Sequence, residues 1–232
     1  MIENNIEAPF MINKPNMVSM YLSIADKSHK TASDLYESKI KPNLKYKESN
    51  KTYFLDLPDR IPITFDLLEA IISAIIFAYT AVEGFINSVI PLDYIEVNER
   101  EGKFNCEWIQ RNVNLLEKIK RIIPQAYKFS FNANEVKPWS NFTNLEKYRD
   151  SLLHLKSEKL NYNTETGIAS TQLNFIQEFV GACMKENIVE SAREIISLIA
   201  SKIGDHPSIP FEFLEKPMDY DNLTNKLLPK NL

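Results

Sequence analysis

Apolar residues dominate from Leu67 to Ile90, a stretch interrupted only by scattered polar positions such as Glu69, Glu83 and Asn87 and closed by Pro91. Thr64 is placed to cap its start and Asp66 to complement the positive helix end, so the pattern predicts a helix over about 65–89. Because it is apolar around most of its circumference, it is expected to be the central element of a helical bundle. A second helix is expected after Asn105, where Ile109, Val113, Leu116, Ile119 and Ile123 recur at spacings of three and four until Pro124, which is expected to stop it. A third starts near Ser140 or Asn141 and carries Phe142, Leu145, Tyr148, Leu152 and Leu155 on one stripe.

The last periodic segment holds Leu173, Ile176, Val180 and Cys183, then Ile188, Ala192, Ile195 and Ile199, with a slip of frame near residues 185–187. Asn187 followed by Glu190 resembles a capping box, so this is two helices or one kinked helix, ending at Gly204 before Pro207. Met17 to Lys39 has weak helical periodicity without a stripe. The expected architecture is all-α, an up-down bundle of four to five main helices over residues 61–204. An N-terminal arm of mixed helix and loop (1–60) and a C-terminal tail (205–232) flank it.

Composition narrows the chemistry. The 232 residues include only five glycines, where average usage gives roughly 16. None is spaced for the glycine-rich loops that cradle phosphate, which excludes Rossmann and P-loop readings. No Asn-Gly or Asp-Gly hairpin signal occurs, which argues against an all-β fold. Lys+Arg is 27 against Asp+Glu 31, a net charge of −4, so any nucleic-acid contact must be local. The basic run Lys39, Lys41, Lys45, Lys47, Lys51 reads as a solvated linker or, more sharply, as a nucleic-acid-facing patch. Cys106 and Cys183 lack C-x-x-C spacing and lie in apolar segments, which suggests buried thiols in a reducing compartment and no zinc site. No secretory signal is visible, and the acidic residues in the apolar stretch favour a core helix over a membrane span. A cytoplasmic protein without cofactor or metal is expected.

Three histidines limit the search for a general base near neutral pH. His29 and His206 fall in segments expected to be exposed turns or linkers. His154 lies on the third expected helix, five residues after Arg149 and four after Asp150.

This Arg–polar–x3–His signature on a late helix of an all-α bundle resembles the HEPN superfamily (higher eukaryote and prokaryote nucleotide-binding domains), whose motif is Arg, a polar residue, then His after four to six intervening positions. AVEGFINSVI in the first helix, LLEKIKRIIP in the second and KPWSNFTNLEKY before the motif are also similar to bacterial members. The resemblance covers roughly residues 65–204. It implies a metal-independent endoribonuclease, a toxin or antiviral effector, in which the ribose 2′-hydroxyl attacks the adjacent phosphate. His154 would act as general acid or base, Arg149 would stabilise the phosphorane charge, and Asp150 would hold the imidazole tautomer. The products would be a 2′,3′-cyclic phosphate and a 5′-hydroxyl. It further implies RNA as substrate, a homodimer in which two motif helices share one cleft, and a nucleotidyltransferase or antitoxin partner.

Helix geometry bears on the dimer. Arg149 and His154 lie about 140° apart around a helix, whereas Asp150 and His154 are only about 40° apart. The dimer that the resemblance implies would let Arg149 of one chain approach His154 of the other. The alternative is a non-catalytic helical module binding nucleotide, RNA or a protein partner. There Arg149 would be an ion-pair partner for Glu83, and His154 an ordinary helix residue. Trp108 and Trp139 are expected to be packing anchors, with Trp139 also placed to stack a base.

Overall fold

The computed structural model describes residues 16–47, 52–56, 58–98, 102–133, 137–153, 162–163, 168–169, 180 and 187–204, and they are predominantly helical. Helix α1 spans Met17–Leu35 and helix α2 spans Arg60–Val89. On α2 the residues Ile71, Ile75, Val82, Phe85, Ile86 and Val89 are fully buried. The helix begins five residues ahead of the expected position, because Pro62 sits in the first turn, where its missing N–H has no partner to lose. Thr64 is therefore not the cap. It lies inside the helix, and its hydroxyl donates to the Arg60 carbonyl at 2.7 Å, the usual backward bond of an internal threonine.

Asn16 caps α1, its Oδ1 accepting from the amides of Val18 at 3.0 Å and Ser19 at 3.3 Å. The two helices run antiparallel, with Tyr21 beside Phe77 (5.9 Å between centroids) and Val18 against Gly84. Small residues line the contact: Ser19, Ser23, Ala25 and Ala32 on α1, and Ala74, Ala78 and Ala81 on α2 are buried. The segment expected to be an arm thus contributes a helix to the core, and His29 lies within that helix rather than in a turn. A π-helical turn (Tyr36–Ile40) and a 3-10 turn (Lys41–Asn43) lead to an antiparallel hairpin of β1 (Leu44–Lys47) and β2 (Thr52–Leu55). Within the basic run, Lys41 pairs with Glu37 at 2.8 Å and Lys45 pairs with Asp56, and these pairs are exposed, as on a solvated surface.

After α2, a second hairpin joins β3 (Ile95–Asn98) to β4 (Gly102–Asn105), with Gly102 at φ +99. Asn105 then caps helix α3 (Cys106–Asn112), accepting from the Trp108 amide at 2.9 Å. Asn114 starts the next run by accepting from the Glu117 amide at 2.8 Å. That run comprises α4 (Leu115–Glu117), a π-helical turn (Lys118–Ile122) and α5 (Ile123–Tyr127). The expected second helix is therefore two pieces broken at residues 113–114, and Pro124 does not stop it. The preceding π turn shifts the hydrogen-bond ladder by one residue, which accommodates a proline that has no N–H to donate. The run ends at Lys128, in the left-handed region at φ +56. Trp108 is not a buried anchor: it is 40% exposed and stacked on Phe104 at 3.9 Å.

Helix α6 spans Lys137–Leu153 and starts ahead of Ser140, with Pro138 in its first turn. A short hairpin of β5 (Tyr162–Asn163) and β6 (Ile168–Ala169) follows. Helix α7 spans Ile188–Ile203, is capped by Asn187 as expected, and stops at Gly204 with φ +71. It docks by burying Ile188, Ala192, Ile195 and Ile199 in the core shared with α1, α2 and α6. Two polar contacts fix it in place: Arg193 pairs with Asp26 of α1 through both ends of its guanidinium, and Asn141 of α6 donates to Glu194 at 3.3 Å. Most of the segment 173–186, including Cys183, and the tail 205–232 lie outside the described residues.

Candidate functional site

Two of the three motif residues fall at the C-terminal end of α6. Arg149 and Asp150 are described, while His154, one position past Leu153, lies outside the described residues, as does His206. Arg149 is held from two sides. Its guanidinium carbon sits 4.4 Å from the ring centroid of Tyr79 on α2, and its Nη1 donates to Asp150 Oδ1 at 2.5 Å. The Arg149 side chain is 28% exposed and that of Asp150 48%.

The platform under Arg149 is aromatic and rigid. Tyr79 stacks on Phe142 with centroids 6.1 Å apart and planes inclined by 11°. Phe142 lies 6.0 Å from Trp139, which Phe131 meets edge-on at 5.5 Å. Trp139 is the buried anchor that its sequence position suggests, and Lys120 lies 4.8 Å from its ring centroid. The spacing of Trp139, Phe142, Glu146 and Arg149 at three- and four-residue intervals on α6 puts all four on one side of the helix.

Carboxylates outnumber accessible cations around this point. Glu83 lies one turn after Tyr79 on α2, and its charge acts on Tyr79, Arg149 and Lys118. Glu146 is half-buried; burial and the charge of Asp150 raise its pKa against the opposing pull of Arg149 and Lys120. Burial raises the Tyr79 phenol well above its ordinary value, although Arg149 favours its anion. Burial also works against the Arg149 cation, but the hydrogen bond it donates to Asp150 and the surrounding negative charge outweigh it and raise its pKa. The expected alternative partner for Arg149, Glu83, acts on it only through space; the direct ion pair goes to Asp150.

Beside this cluster lies a buried cation that periodicity did not single out. Lys118, in the π-helical turn, is 1% exposed. Its ammonium donates to Asn87 Oδ1 at 2.9 Å and to the Gln110 carbonyl at 2.7 Å, and Gln110 Nε2 donates to the Asn87 carbonyl at 2.7 Å. Tyr79, Glu83 and Asn87 follow at i, i+4 and i+8, so one stripe of α2 runs from the Arg149 platform to the Lys118 network. The only signal available in the sequence was a lysine at the spacing of the apolar positions Leu115, Ile119 and Ile122.

Among the described residues, no group of three or more His, Cys, Asp or Glu is placed to hold a metal ion. One described helix, α2, is long and apolar enough to cross a membrane, and it packs here against α1, α6 and α7. No family model matches the chain, and no curated protein or solved structure is significantly similar to it.

The phenols of this region make one prediction. Burial raises the pKa values of Tyr79, Tyr94 and Tyr127, and the Tyr127 hydroxyl donates to the Val89 carbonyl at 2.6 Å. A phenol that ionises later in the native state than in the unfolded chain contributes stability that is present below about pH 10 and lost above it. Lys118, whose burial lowers its pKa, acts in the opposite sense between its native value and 10.5. Above about pH 10.5, where Lys118 no longer contributes, only the phenols act, so the urea midpoint should fall there. Absorbance titration should show a group of tyrosines that ionise only as the fold is lost. A midpoint that stays flat or rises through that window would contradict the assignment.

Proposed function

We propose that the chain is a HEPN-type endoribonuclease that cleaves RNA without a metal. The observation that carries this reading is the arrangement of Arg149: a permanently charged, partly buried guanidinium on the motif helix, lying on an aromatic face with N–H groups left over. Such a group suits a phosphorane, because it contacts two phosphoryl oxygens in a fixed plane. His154, beyond the described end of α6, is the general acid or base in this reading. Asp150, whose Oδ1 is taken by Arg149, has Oδ2 for an imidazole N–H. A homodimer of the kind the family resemblance implies would bring two motif helices to one cleft and let Arg149 of one chain approach His154 of the other. A toxin or antiviral role beside an antitoxin or nucleotidyltransferase belongs to the same proposal.

One observation favours a second reading, a non-catalytic HEPN-like module that binds a protein partner. Glu83, Glu146 and Asp150 surround Arg149, and this local negative charge opposes a polyanion. Incubating purified protein with total RNA in EDTA separates the two. Under the nuclease reading the wild type yields fragments ending in 2′,3′-cyclic phosphate, and His154→Ala yields none. Intact RNA, or equal cutting by His154→Ala, rejects the nuclease and leaves the binding module.

A further inference from the structure

We propose that Tyr79 is a positioning residue for Arg149, its ring face fixing the guanidinium plane so that the free N–H edge stays available to a phosphodiester. This rests on the ribonuclease reading and adds to it a group from a different helix.

The need for such a group follows from the carboxylates. An arginine side chain is long and flexible, and Arg149 has three acidic neighbours within electrostatic reach: Asp150, Glu146 three residues before it on α6, and Glu83 on α2. Left unconstrained, its guanidinium would settle against several of them and present no free donor. Among the described residues, Asp150 is the only acceptor it bonds, through Nη1. Among the described residues it forms no ion pair with Glu83 or Glu146, and the group against which its guanidinium rests is the Tyr79 ring, 4.4 Å from Cζ to centroid. The ring is held by packing, being 5% exposed and stacked on Phe142, which is fully buried. The effect requires an aromatic face and not the phenol hydroxyl, which separates it from a proton-transfer role.

The test compares the full-length wild type with Tyr79→Phe and Tyr79→Leu. The first readout is the side-chain Nε–H resonance of Arg149, identified by its loss in Arg149→Lys. Ring current should shift it upfield in the wild type and in Tyr79→Phe, and the shift should vanish in Tyr79→Leu. Titration of that signal with inorganic phosphate should give a Kd about tenfold weaker in Tyr79→Leu and within about twofold of wild type in Tyr79→Phe. RNA cleavage should follow the same order, with kcat falling about tenfold in Tyr79→Leu and KM nearly unchanged. An unshifted Arg149 signal in the wild type, or equal phosphate affinity in wild type and Tyr79→Leu, overturns the proposal. If Tyr79→Leu does not fold, Tyr79→Phe decides: loss of the shift or of phosphate affinity in that variant rejects a role for the ring face, and retention of both supports it. If no protein cuts RNA but the shift and phosphate pattern hold, the nuclease reading fails while the positioning of Arg149 stands.

Discussion

Lys118→Ala is expected to lower the free energy of unfolding by about 3–5 kcal/mol, a large share of the 5–15 kcal/mol typical of a folded domain. Three effects add. The Asn87 side-chain oxygen and the Gln110 carbonyl each lose their donor, and because both bonds are partly buried each loss costs about 1 kcal/mol, toward the low end for an orphaned acceptor. Glu83 loses the Lys118 charge with which it interacts through space. The four-carbon stem of a residue that is 1% exposed leaves a cavity between α2 and the π-helical turn. Lys118→Met fills most of that volume and removes the cost of burying a charge, so its loss should be roughly half as large, arising mainly from the two orphaned acceptors. Urea unfolding of both variants measures this. Equal, small losses of under about 1 kcal/mol would mean that water or rearrangement replaces the ammonium, and that the network does not tie α3 to α2.

The helices most visible in the sequence were those whose packing uses large aliphatic residues. α2, α6 and α7 follow the three-and-four spacing of Ile, Leu, Val and Phe, and Asn187 caps α7 as the capping-box pattern suggested. α1 was faint for a physical reason. It lies close against α2, and the close approach uses Ser19, Ser23, Ala25 and Ala32, residues that carry little hydropathy signal. The β3–β4 hairpin illustrates the opposite failure: Ile95 and Val97 alternate with polar residues, yet both are exposed, at 56% and 65%, so the pattern there does not mark a buried face. The π-helical turn has no sequence marker, and without it Pro124 reads as a stop. In the site, Arg149 and Asp150 were legible through motif spacing, whereas Tyr79 was not, because an aromatic in an apolar helix looks the same whether it fills the core or supports a cation.

On the proposed ribonuclease reading, Arg149→Lys is expected to reduce kcat/KM for RNA cleavage by about 10²–10³-fold, equivalent to roughly 2.7–4 kcal/mol of lost transition-state stabilisation. Charge is conserved, so the loss isolates geometry. An ammonium is a point donor that cannot offer a phosphorane two parallel N–H bonds, and it does not lie flat on the Tyr79 ring 4.4 Å below the native guanidinium. A lysine at this position also retains its attraction to Asp150, which at 48% exposure is free to follow it, so more of the charge is spent on the protein's own carboxylate. Stability should change by less than about 1 kcal/mol, since the Arg149–Asp150 pair is partly solvated and screened. Initial rates in EDTA, paired with urea unfolding of the same preparation, separate the two quantities. If Arg149→Lys cleaves at the wild-type rate with its fold intact, the planar donor is not used on the phosphate, and Arg149 is a structural partner of Asp150 on the Tyr79 face. If the rate falls while the unfolding midpoint holds, its donors act in the transition state and the surrounding carboxylates are what the aromatic platform keeps away.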